Sequence, residues 1–391
     1  MPPTTQNHDC ARRVQQRWRC RIGVLRVQNY TSLSISVVAF LAVLFSTLAK
    51  AQGDSSSNSP GAVAQASVST RPIRMPVVPG SDISFRELNN VKGLSQTRVL
   101  QIVQDDQGFM WLGTQYGLDR YDGYKFRVFT PVPGQANSLS GAYIYSLFKD
   151  RAGMLWIGCD QFLERFDPIT EKFTHYRIES DASNRVALTV VHISQDRAGL
   201  LWLATGGGLY GLDPGTGQIT HHYIHDPDNP SSLSSNDLRS TGEDRSGRFW
   251  VMGKSNLEEF DRDTGKVTRR VSLPESGGDS AAFYEDHLGT FWIVYDAGRG
   301  GGGLATFDRT TNKITNFLLY NVSSGKLMPV GMVKMLEDEN GTLWFASEGE
   351  GLLKLDPEHG RMISYRNQPE NAASIAEDRV IALGKDHQGD I

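Results

Sequence analysis

The sequence predicts an all-β protein built from one repeated unit, and two observations support this prediction. Six of the seven tryptophans occur in the same phrase, acidic-x-x-Gly-x-φ-Trp-φ, in which φ is apolar in most copies. Successive tryptophans of this set are 45, 46, 48, 42 and 52 residues apart. One tryptophan in every unit of roughly 40–50 residues is typical of a β-propeller, in which four-stranded blades surround a channel. The six are Trp111, Trp156, Trp202, Trp250, Trp292 and Trp344.

Each unit has room for four short strands, as the first unit shows. Residues 99–104 are rich in apolar and β-branched side chains, which favours a strand. An Asp-x-Gly turn follows, because Asp caps its own backbone and Gly accepts a positive φ. Residues 109–114 are mostly apolar, so this second strand should be covered on both faces. Residues 117–121 and 125–129 then supply the third and fourth strands.

A seventh phrase begins at residue 385 and is interrupted by the last residue of the sequence, Ile391. We therefore expect six complete four-stranded blades and the start of a seventh, whose first strand is 379–384. An incomplete ring exposes strand edges and apolar faces to solvent. The fragment 52–391 is accordingly expected to be poorly soluble or oligomeric. Extension by roughly 35 residues should restore a monomer, because one unit spans about 45 residues.

The N-terminal region, residues 1–51, has the organisation of a secretory signal peptide. Six arginines between residues 12 and 26 precede an apolar stretch at 33–48. Ala49 and Ala51 then form an A-x-A cleavage pattern. This predicts a protein exported to the periplasm. The alternative is an uncleaved segment, residues 33–48, that anchors the chain in the inner membrane, since such a run is borderline for spanning.

Residues 52–80 are rich in Ser, Pro and Gly and predict a flexible linker. The propeller is expected to cover residues 83–391 and to be incomplete at its C-terminal end. Residues 83–88 resemble a fourth strand without a unit of its own. In propellers such a terminal strand commonly completes the last blade and removes exposed edges.

Charge and motif content exclude several classes of function. Residues 1–51 hold seven Lys and Arg against one Asp, so the remainder carries a net charge of −10, which argues against a nucleic-acid partner. The glycine-rich run at 206–211 occupies a hairpin position and not a helix start, so no dinucleotide site is predicted. The turns offer one carboxylate each, too few for Ca²⁺, and His221, His222 and His225 lack further metal ligands. We predict no catalytic residue, metal or cofactor, although a pair of acids for glycoside cleavage stays open. The ligand-binding residues are not identified.

The full unit resembles the two component regulator propeller repeat. Residues 105–129 and 201–214 carry the resemblance, which extends over 83–391. It implies the periplasmic sensor region of a histidine kinase, without catalysis in this part of the receptor. It further implies an oligosaccharide or other small extracellular ligand. Membrane contact and dimerisation would then involve only the signal or anchor segment and C-terminal parts outside this sequence. The alternatives are an exported propeller enzyme acting on polysaccharide and a protein-interaction scaffold.

Overall fold

The computed structural model describes residues 22–25, 63–69, 72–88, 93–160, 162–179, 188–273, 281–295, 303–328 and 330–391. Every regular element in these ranges is a β-strand. The same ranges include no helix that is long and apolar enough to cross a membrane. The predicted cleavage residues Ala49 and Ala51 lie outside the described residues, as does the predicted anchor at 33–48.

The described strands form six antiparallel four-stranded units, which we call blades 1 to 6, preceded by five N-terminal strands. Each blade pairs its strands in chain order, from the inner first strand to the outer fourth strand. The N-terminal strands are β1 (Ile22–Leu25), β2 (Ala64–Gln65), β3 (Ser67–Val68), β4 (Ile73–Pro79) and β5 (Phe85–Leu88). Blade 1 has β6 (Val99–Gln104), β7 (Met110–Thr114), β8 (Leu118–Tyr121) and β9 (Phe126–Phe129); blade 2 has β10 (Ile144–Lys149), β11 (Leu155–Cys159), β12 (Phe162–Asp167) and β13 (Lys172–Tyr176). Blade 3 has β14 (Val190–Gln195), β15 (Leu201–Thr205), β16 (Gly208–Leu212) and β17 (Ile219–Tyr223); blade 4 has β18 (Leu238–Glu243), β19 (Phe249–Gly253), β20 (Asn256–Asp261) and β21 (Lys266–Ser272). Blade 5 has β22 (Ala281–Glu285), β23 (Phe291–Tyr295), β24 (Gly303–Asp308) and β25 (Lys313–Asn321); blade 6 has β26 (Gly331–Glu337), β27 (Leu343–Glu348), β28 (Leu352–Asp356) and β29 (Arg361–Tyr365).

The hydrophobic core lies between blades. Each of the six tryptophans is on the second strand of its blade and packs against residues of the next part of the ring. Trp111, for example, shares a cluster with Leu155 and Phe166 of blade 2, and Trp250 shares one with Phe291 of blade 5. The second strands are buried along almost their whole length. This burial explains why their sequences are continuously apolar and not alternating.

A turn built around one aspartate fixes each tryptophan. In blade 2, Asp150 accepts backbone N–H bonds from Ala152 and Met154 through Oδ1, at 2.9 Å each. Its Oδ2 accepts the indole Nε1–H of Trp156 at 2.7 Å. The turn glycine, Gly153, has φ 81°, a left-handed conformation that favours glycine. The same Asp–Trp bond occurs in all six blades, at 2.7–3.0 Å.

Two arginines join neighbouring blades at these same aspartates. Arg262 of blade 4 donates to Asp196 of blade 3 at 2.8 Å and to Glu243 at 2.9 Å. Arg309 of blade 5 likewise donates to Asp244 of blade 4 at 2.7 Å. The aspartates of these two turns therefore accept a second, cationic hydrogen-bond donor.

Residues 63–69 and 72–79 form what we call the strap, which runs along the outer edges of blades 4 to 6. β2 pairs in parallel with β21, and β3 pairs in parallel with β25. β4 lies between β25 and β29 and pairs in parallel with both, so blades 5 and 6 share one ten-stranded sheet. Met75 and Val77 of β4 are buried in the core between these blades. This differs from the flexible linker predicted over 52–80, because alternate apolar side chains of β4 cover the exposed outer edges.

β5 differs from its prediction as well. It was expected to complete a blade as a fourth strand, yet its described pairing is with β1 alone. Phe85 instead packs against Trp344 and Tyr365 of blade 6, and its N–H donates to the carbonyl of Ala373. The apolar side chains of β5 therefore pack onto blade 6, and β5 is not one of the hydrogen-bonded strands of a blade.

Residues 379–391 lie between blades 6 and 1. Arg379 forms an isolated bridge with Glu348, and no ladder is assigned over 379–384, where a first strand was predicted. A turn nevertheless follows in which Asp386 caps its own backbone like the six others. The N–H of His387 donates to Gln104 of β6 at 2.5 Å. In the same way Arg151 N–H donates from the turn of blade 2 to Gln195 of blade 3. This segment thus occupies a seventh position in the innermost layer of the ring.

Candidate binding site in the central channel

The tryptophans and histidines singled out from the sequence are held in the fold by hydrogen bonds. The six tryptophans are at most 7% exposed and are held by their aspartates. His222 bonds the carbonyl of Gly207, and His225 bonds the carbonyl of Leu233, through ring nitrogens. His221 contacts the hydroxyl of Thr220. Within the described ranges, no group of His, Cys, Asp or Glu side chains is arranged to hold a metal ion.

The inner strands of consecutive blades pack side by side and surround the channel. The position ten residues before each tryptophan is equivalent in all six inner strands. Three side chains at this position fasten one inner strand to the next. Gln101 Nε2 donates to the Tyr145 carbonyl at 2.9 Å, and Ser146 Oγ donates to the Val190 carbonyl at 2.8 Å. The residues at this position, which we call the channel layer, are Gln101, Ser146, His192, Ser240, Ala282 and Lys334.

His192 belongs to the channel layer in blade 3. Its Nδ1 accepts the backbone N–H of Thr241 at 3.3 Å, which assigns the proton of the neutral ring to Nε2. Burial lowers the pKa of His192 to about 3, and the positive charge of Lys334 contributes further. The imidazole is therefore neutral at physiological pH, and its Nε2–H is a donor without a partner among the described residues.

Lys334 belongs to the channel layer in blade 6. Its side chain is partly exposed, yet the surrounding protein desolvates the ammonium and lowers the pKa of Lys334. Lys334 has neither an ion-pair partner nor a hydrogen-bond partner in the described part of the chain.

The carboxylates of the inner strands are engaged elsewhere, at the ends of the strands that carry the Asp turns. Glu337 accepts the hydroxyl of Tyr284 at 3.1 Å and contacts the ring of His287. Glu285 pairs with Arg309, and Glu243 pairs with Arg262. None of these acids lies in the channel layer. The layer therefore presents one cation and one neutral N–H donor without a compensating carboxylate among the described residues.

Two of the cavities among the described residues lie between blades. One, of about 190 Å³, is between blades 6 and 1 and has mainly apolar walls, including Val99, Leu112, Leu352 and Leu383. The other lies between blades 3 and 4, where Arg262 is already paired with Asp196. The first cavity is part of the interblade core, and the second contains paired charges. Neither offers the unpaired polar groups of the channel layer.

The sequence argument did not identify His192 or Lys334. A signal was present, because aligning the six units on their tryptophans places a histidine and a lysine at one inner-strand position. The sequence alone did not show which neighbours the side chains at this position have. A bulge in each inner strand of blades 1 to 4 and of blade 6 interrupts the simple alternation of faces just before or beside it.

Two segments of the chain, residues 93–116 and 138–161, match the family described as two component regulator propeller. They contain the first and second strands of blades 1 and 2. A stretch of 60 residues, 15% of this chain, is 37% identical to Histidine kinase P4 of Formosa agariphila, and it corresponds to 4% of that protein. The resemblance stated from the sequence is confirmed by these matches.

Solved structures with a similar fold include the extracellular domain of a putative hybrid two-component system from B. thetaiotaomicron. That structure has a TM-score of 0.63 and 22% identity, over 78% of this chain and 39% of that one. Streptogramin B lyase gives a TM-score of 0.55 and 15% identity, over 76% and 90% of the two chains. PorZ of Porphyromonas gingivalis gives a TM-score of 0.53 and 14% identity, over 78% of this chain and 46% of that one. At these identities the similarity establishes the fold, and the predicted all-β propeller is confirmed.

Proposed function

We propose that this chain is the exported, ligand-binding input region of a two-component signalling receptor, because two of its segments match the two component regulator propeller family. The match at residues 93–116 and 138–161 is the observation that carries the proposal. The chain spans 4% of the histidine kinase and 39% of the two-component extracellular domain to which it is similar. We assign kinase activity to the proposed receptor as a whole and not to this region.

The structure supports binding in preference to catalysis through the way its acidic groups are used. The turn aspartates cap backbone N–H groups and hold tryptophans, and the inner-strand glutamates form ion pairs or hydrogen bonds with neighbouring blades. We propose a small extracellular ligand, such as an oligosaccharide or its fragment. Export would follow from the signal peptide proposed for residues 1–51, with the periplasm as the destination.

The proposal is tested by deleting the gene in its source organism and measuring transcription during growth on single carbon sources. A receptor with this function should lose the induction of a defined set of genes on one nutrient. Complementation with the intact gene should restore that induction. Unchanged transcription on every source would contradict the proposal. Release of reducing sugar from a polysaccharide by the purified chain would favour the enzyme alternative instead.

A further inference from the structure

Blades 2 and 4 each bury a glutamate on the third strand, opposite a basic side chain on the fourth. Glu164 is the register partner of His175 in blade 2, and Glu258 is the register partner of Arg270 in blade 4. Glu164 is 0% exposed and Glu258 is 2% exposed. Because an ionised carboxylate is costly to bury without a partner, the basic residue stabilises the charged form of each glutamate.

In blade 4 the basic side chain also holds the loop at 226–234, which we call the blade-4 loop. Arg270 Nε donates to Glu258 at 2.5 Å, and Arg270 Nη2 donates to the carbonyl of Ser232 at 2.9 Å. The N–H of Ser234 donates to the same glutamate at 3.1 Å. An arginine stays charged over the whole physiological pH range. This attachment of the loop is therefore independent of pH.

In blade 2 a histidine occupies the equivalent place and holds the loop at 130–140, which we call the blade-2 loop. His175 Nε2 lies 2.7 Å from the carbonyl oxygen of Ala136, which can only accept, so Nε2 carries a hydrogen. Nδ1 contacts Oε2 of Glu164, whose Oε1 accepts the N–H of Ser140 at 2.9 Å. The contact between Nδ1 and the carboxylate requires one further proton. Both bonds are therefore made together by the protonated ring.

Loss of that proton leaves a lone pair on Nδ1 that faces the carboxylate. The lone pair can accept the hydroxyl of Ser140, which lies 3.0 Å away, while Glu164 is left without a cationic partner among the described residues. Burial lowers the pKa of His175, but the Ala136 carbonyl and Glu164 together outweigh burial, so this pKa is raised. A histidine with a raised folded pKa stabilises the fold below its unfolded value of about 6.5 and loses that contribution as pH rises through the folded value.

The neighbouring groups add no second cation to this contact. The thiol of Cys159 donates to Glu164 at 3.6 Å, and burial raises the pKa of Cys159, so the thiol stays neutral. The ring of Phe173 lies parallel to that of His175 and carries no charge. Glu171 is paired with two arginines of blade 1. The side chain of His175 is 32% exposed, so its proton can exchange with solvent.

We propose that His175 is a pH-dependent latch, which holds the blade-2 loop against β13 when the ring is protonated and releases it when the ring is neutral. The blade-4 loop keeps its attachment because Arg270 does not lose its charge. The blade-2 loop leads into the inner strand β10, so its release frees the chain at one end of the channel wall. This inference is independent of the proposed function, since it requires no ligand and no partner.

The latch is tested by hydrogen exchange with mass spectrometry on the native protein, corrected for the intrinsic effect of pH on exchange. Opening of the blade-2 loop relative to the blade-4 loop should increase at least about threefold between about pH 5.5 and about pH 8. The blade-4 loop is a suitable reference. His225 beside it bonds the Leu233 carbonyl through Nδ1, and this nitrogen can donate in the neutral and in the charged ring.

Two matched variants exchange a histidine for an arginine. His175→Arg copies the arrangement of Arg270, so its blade-2 loop should stay protected at about pH 8 and lose the pH dependence. His359→Arg changes a histidine of blade 6 whose side chain is 58% exposed, and the response of the blade-2 loop should remain as in the native protein. The ring of His175, followed by nuclear magnetic resonance, should titrate above about pH 6.5.

An equal response of the two loops to pH in the native protein would overturn the inference. PH dependence that persists in His175→Arg would overturn it as well. If His175→Arg fails to fold, the comparison of the two loops and the ring titration in the native protein decide the question. Titration of His175 at or below about pH 6.5 would then contradict the latch, because the bonds that it makes in the folded state would not favour its charged form.

Discussion

The aspartate of each turn makes several bonds at once, which explains its recurrence before every described tryptophan. One oxygen closes the turn through backbone N–H groups, and the other holds the indole. The second oxygen differs between blades. In blade 3, Asp196 Oδ2 also receives Arg262, whereas in blade 2 the indole of Trp156 is the donor to Asp150 Oδ2 in the described part of the chain. The repeated turn therefore has an additional cationic donor to its aspartate in blade 3, and in blade 2 the described residues provide the indole alone.

We expect Trp156→Phe to destabilise the protein more than Trp202→Phe does. Both changes remove an indole N–H from a buried carboxylate, but only Asp196 keeps a cationic donor. The first should cost about 3 kcal/mol, the scale for a hydrogen bond to a buried charged group, and the second at least about 1 kcal/mol less. Urea unfolding followed by fluorescence measures both. Equal losses would show that Arg262 does not compensate for the indole.

Asp119 differs from its equivalents on the third strands of blades 2 and 4. Glu164 and Glu258 each bind a backbone N–H of the preceding loop and also a basic side chain, His175 and Arg270 respectively. Asp119 binds the N–H of Ser95 at 2.7 Å but has no basic partner among the described residues. Burial therefore dominates and raises the pKa of Asp119 to about 6.

The contribution of Asp119 to the free energy of unfolding should therefore fall as pH rises from about 4 to about 6. Over this range the folded state binds more protons at Asp119 than the unfolded state does, so raising the pH favours unfolding. The contribution is roughly 2–3 kcal/mol. Asp119→Asn should remove this slope, and Glu370→Gln, at an exposed carboxylate, should retain it. Urea unfolding at pH 4.5 and 7.5 checks the prediction, and an unchanged slope in Asp119→Asn would refute it.

At the scale of elements, the strap links the outer edges of blades 5 and 6 through hydrogen-bonded strand pairing. β4 pairs with β25 over residues 73–77 and with β29 over residues 77–79. Its buried residues belong to the same cluster as Leu319 and Met362 of those strands. The outer edges of blades 5 and 6 are therefore paired and not exposed, which is one of the ways in which proteins protect sheet edges.

Met75→Ala should destabilise blades 5 and 6 by about 2–4 kcal/mol, because it leaves a cavity in their shared core. Ile73→Ala lies on the same strand, where the side chain is 47% exposed, and should cost under about 1 kcal/mol. Limited proteolysis should cut Met75→Ala within the strap faster than it cuts the control. Equal cleavage of the two variants would mean that the strap does not depend on this packing.

At the scale of the whole molecule, the ring is continuous at its innermost layer and open outside it. Val380 N–H donates to the carbonyl of Ser347 in blade 6, and His387 N–H donates to Gln104 in blade 1. Outside this layer lies the apolar cavity of about 190 Å³. Apolar space of this kind binds hydrophobic dyes and promotes association.

We expect the chain from residue 52 to 391 to enhance the fluorescence of anilinonaphthalene sulfonate and to elute above its monomer mass. Appending a copy of residues 111–129 after Ile391 supplies second, third and fourth strands from the chain's own blade 1. This extended protein should bind less dye and elute as a monomer. Size-exclusion chromatography with light scattering compares the two. A dye-free monomer from the shorter chain would contradict the expectation.

The repeat and its tryptophans could be predicted from the sequence, because the spacing of the tryptophans and the apolar second strands are visible in the local pattern of residues. Prediction from the sequence failed for the strap, where Ile73, Met75 and Val77 alternate but are surrounded by Ser, Pro and Gly. The pairing of this strand depends on outer edges more than 200 residues away, as the bond from Asn312 to Gln65 shows. The channel layer was also missed, because an unpaired charge is recognised only after its neighbours are placed.

The strap also constrains the order in which the chain can fold. Its partners lie from 204 residues downstream, as for Ala66 and Arg270, to 285 residues downstream, as for Val77 and Met362. Contacts across such separations carry a loop-closure cost and form slowly. During synthesis from the N-terminus, this segment must therefore wait until blades 5 and 6 have emerged and paired. Docking of the strap is thus a late step, and a chain lacking it should keep the early folding phases and lose a slow one.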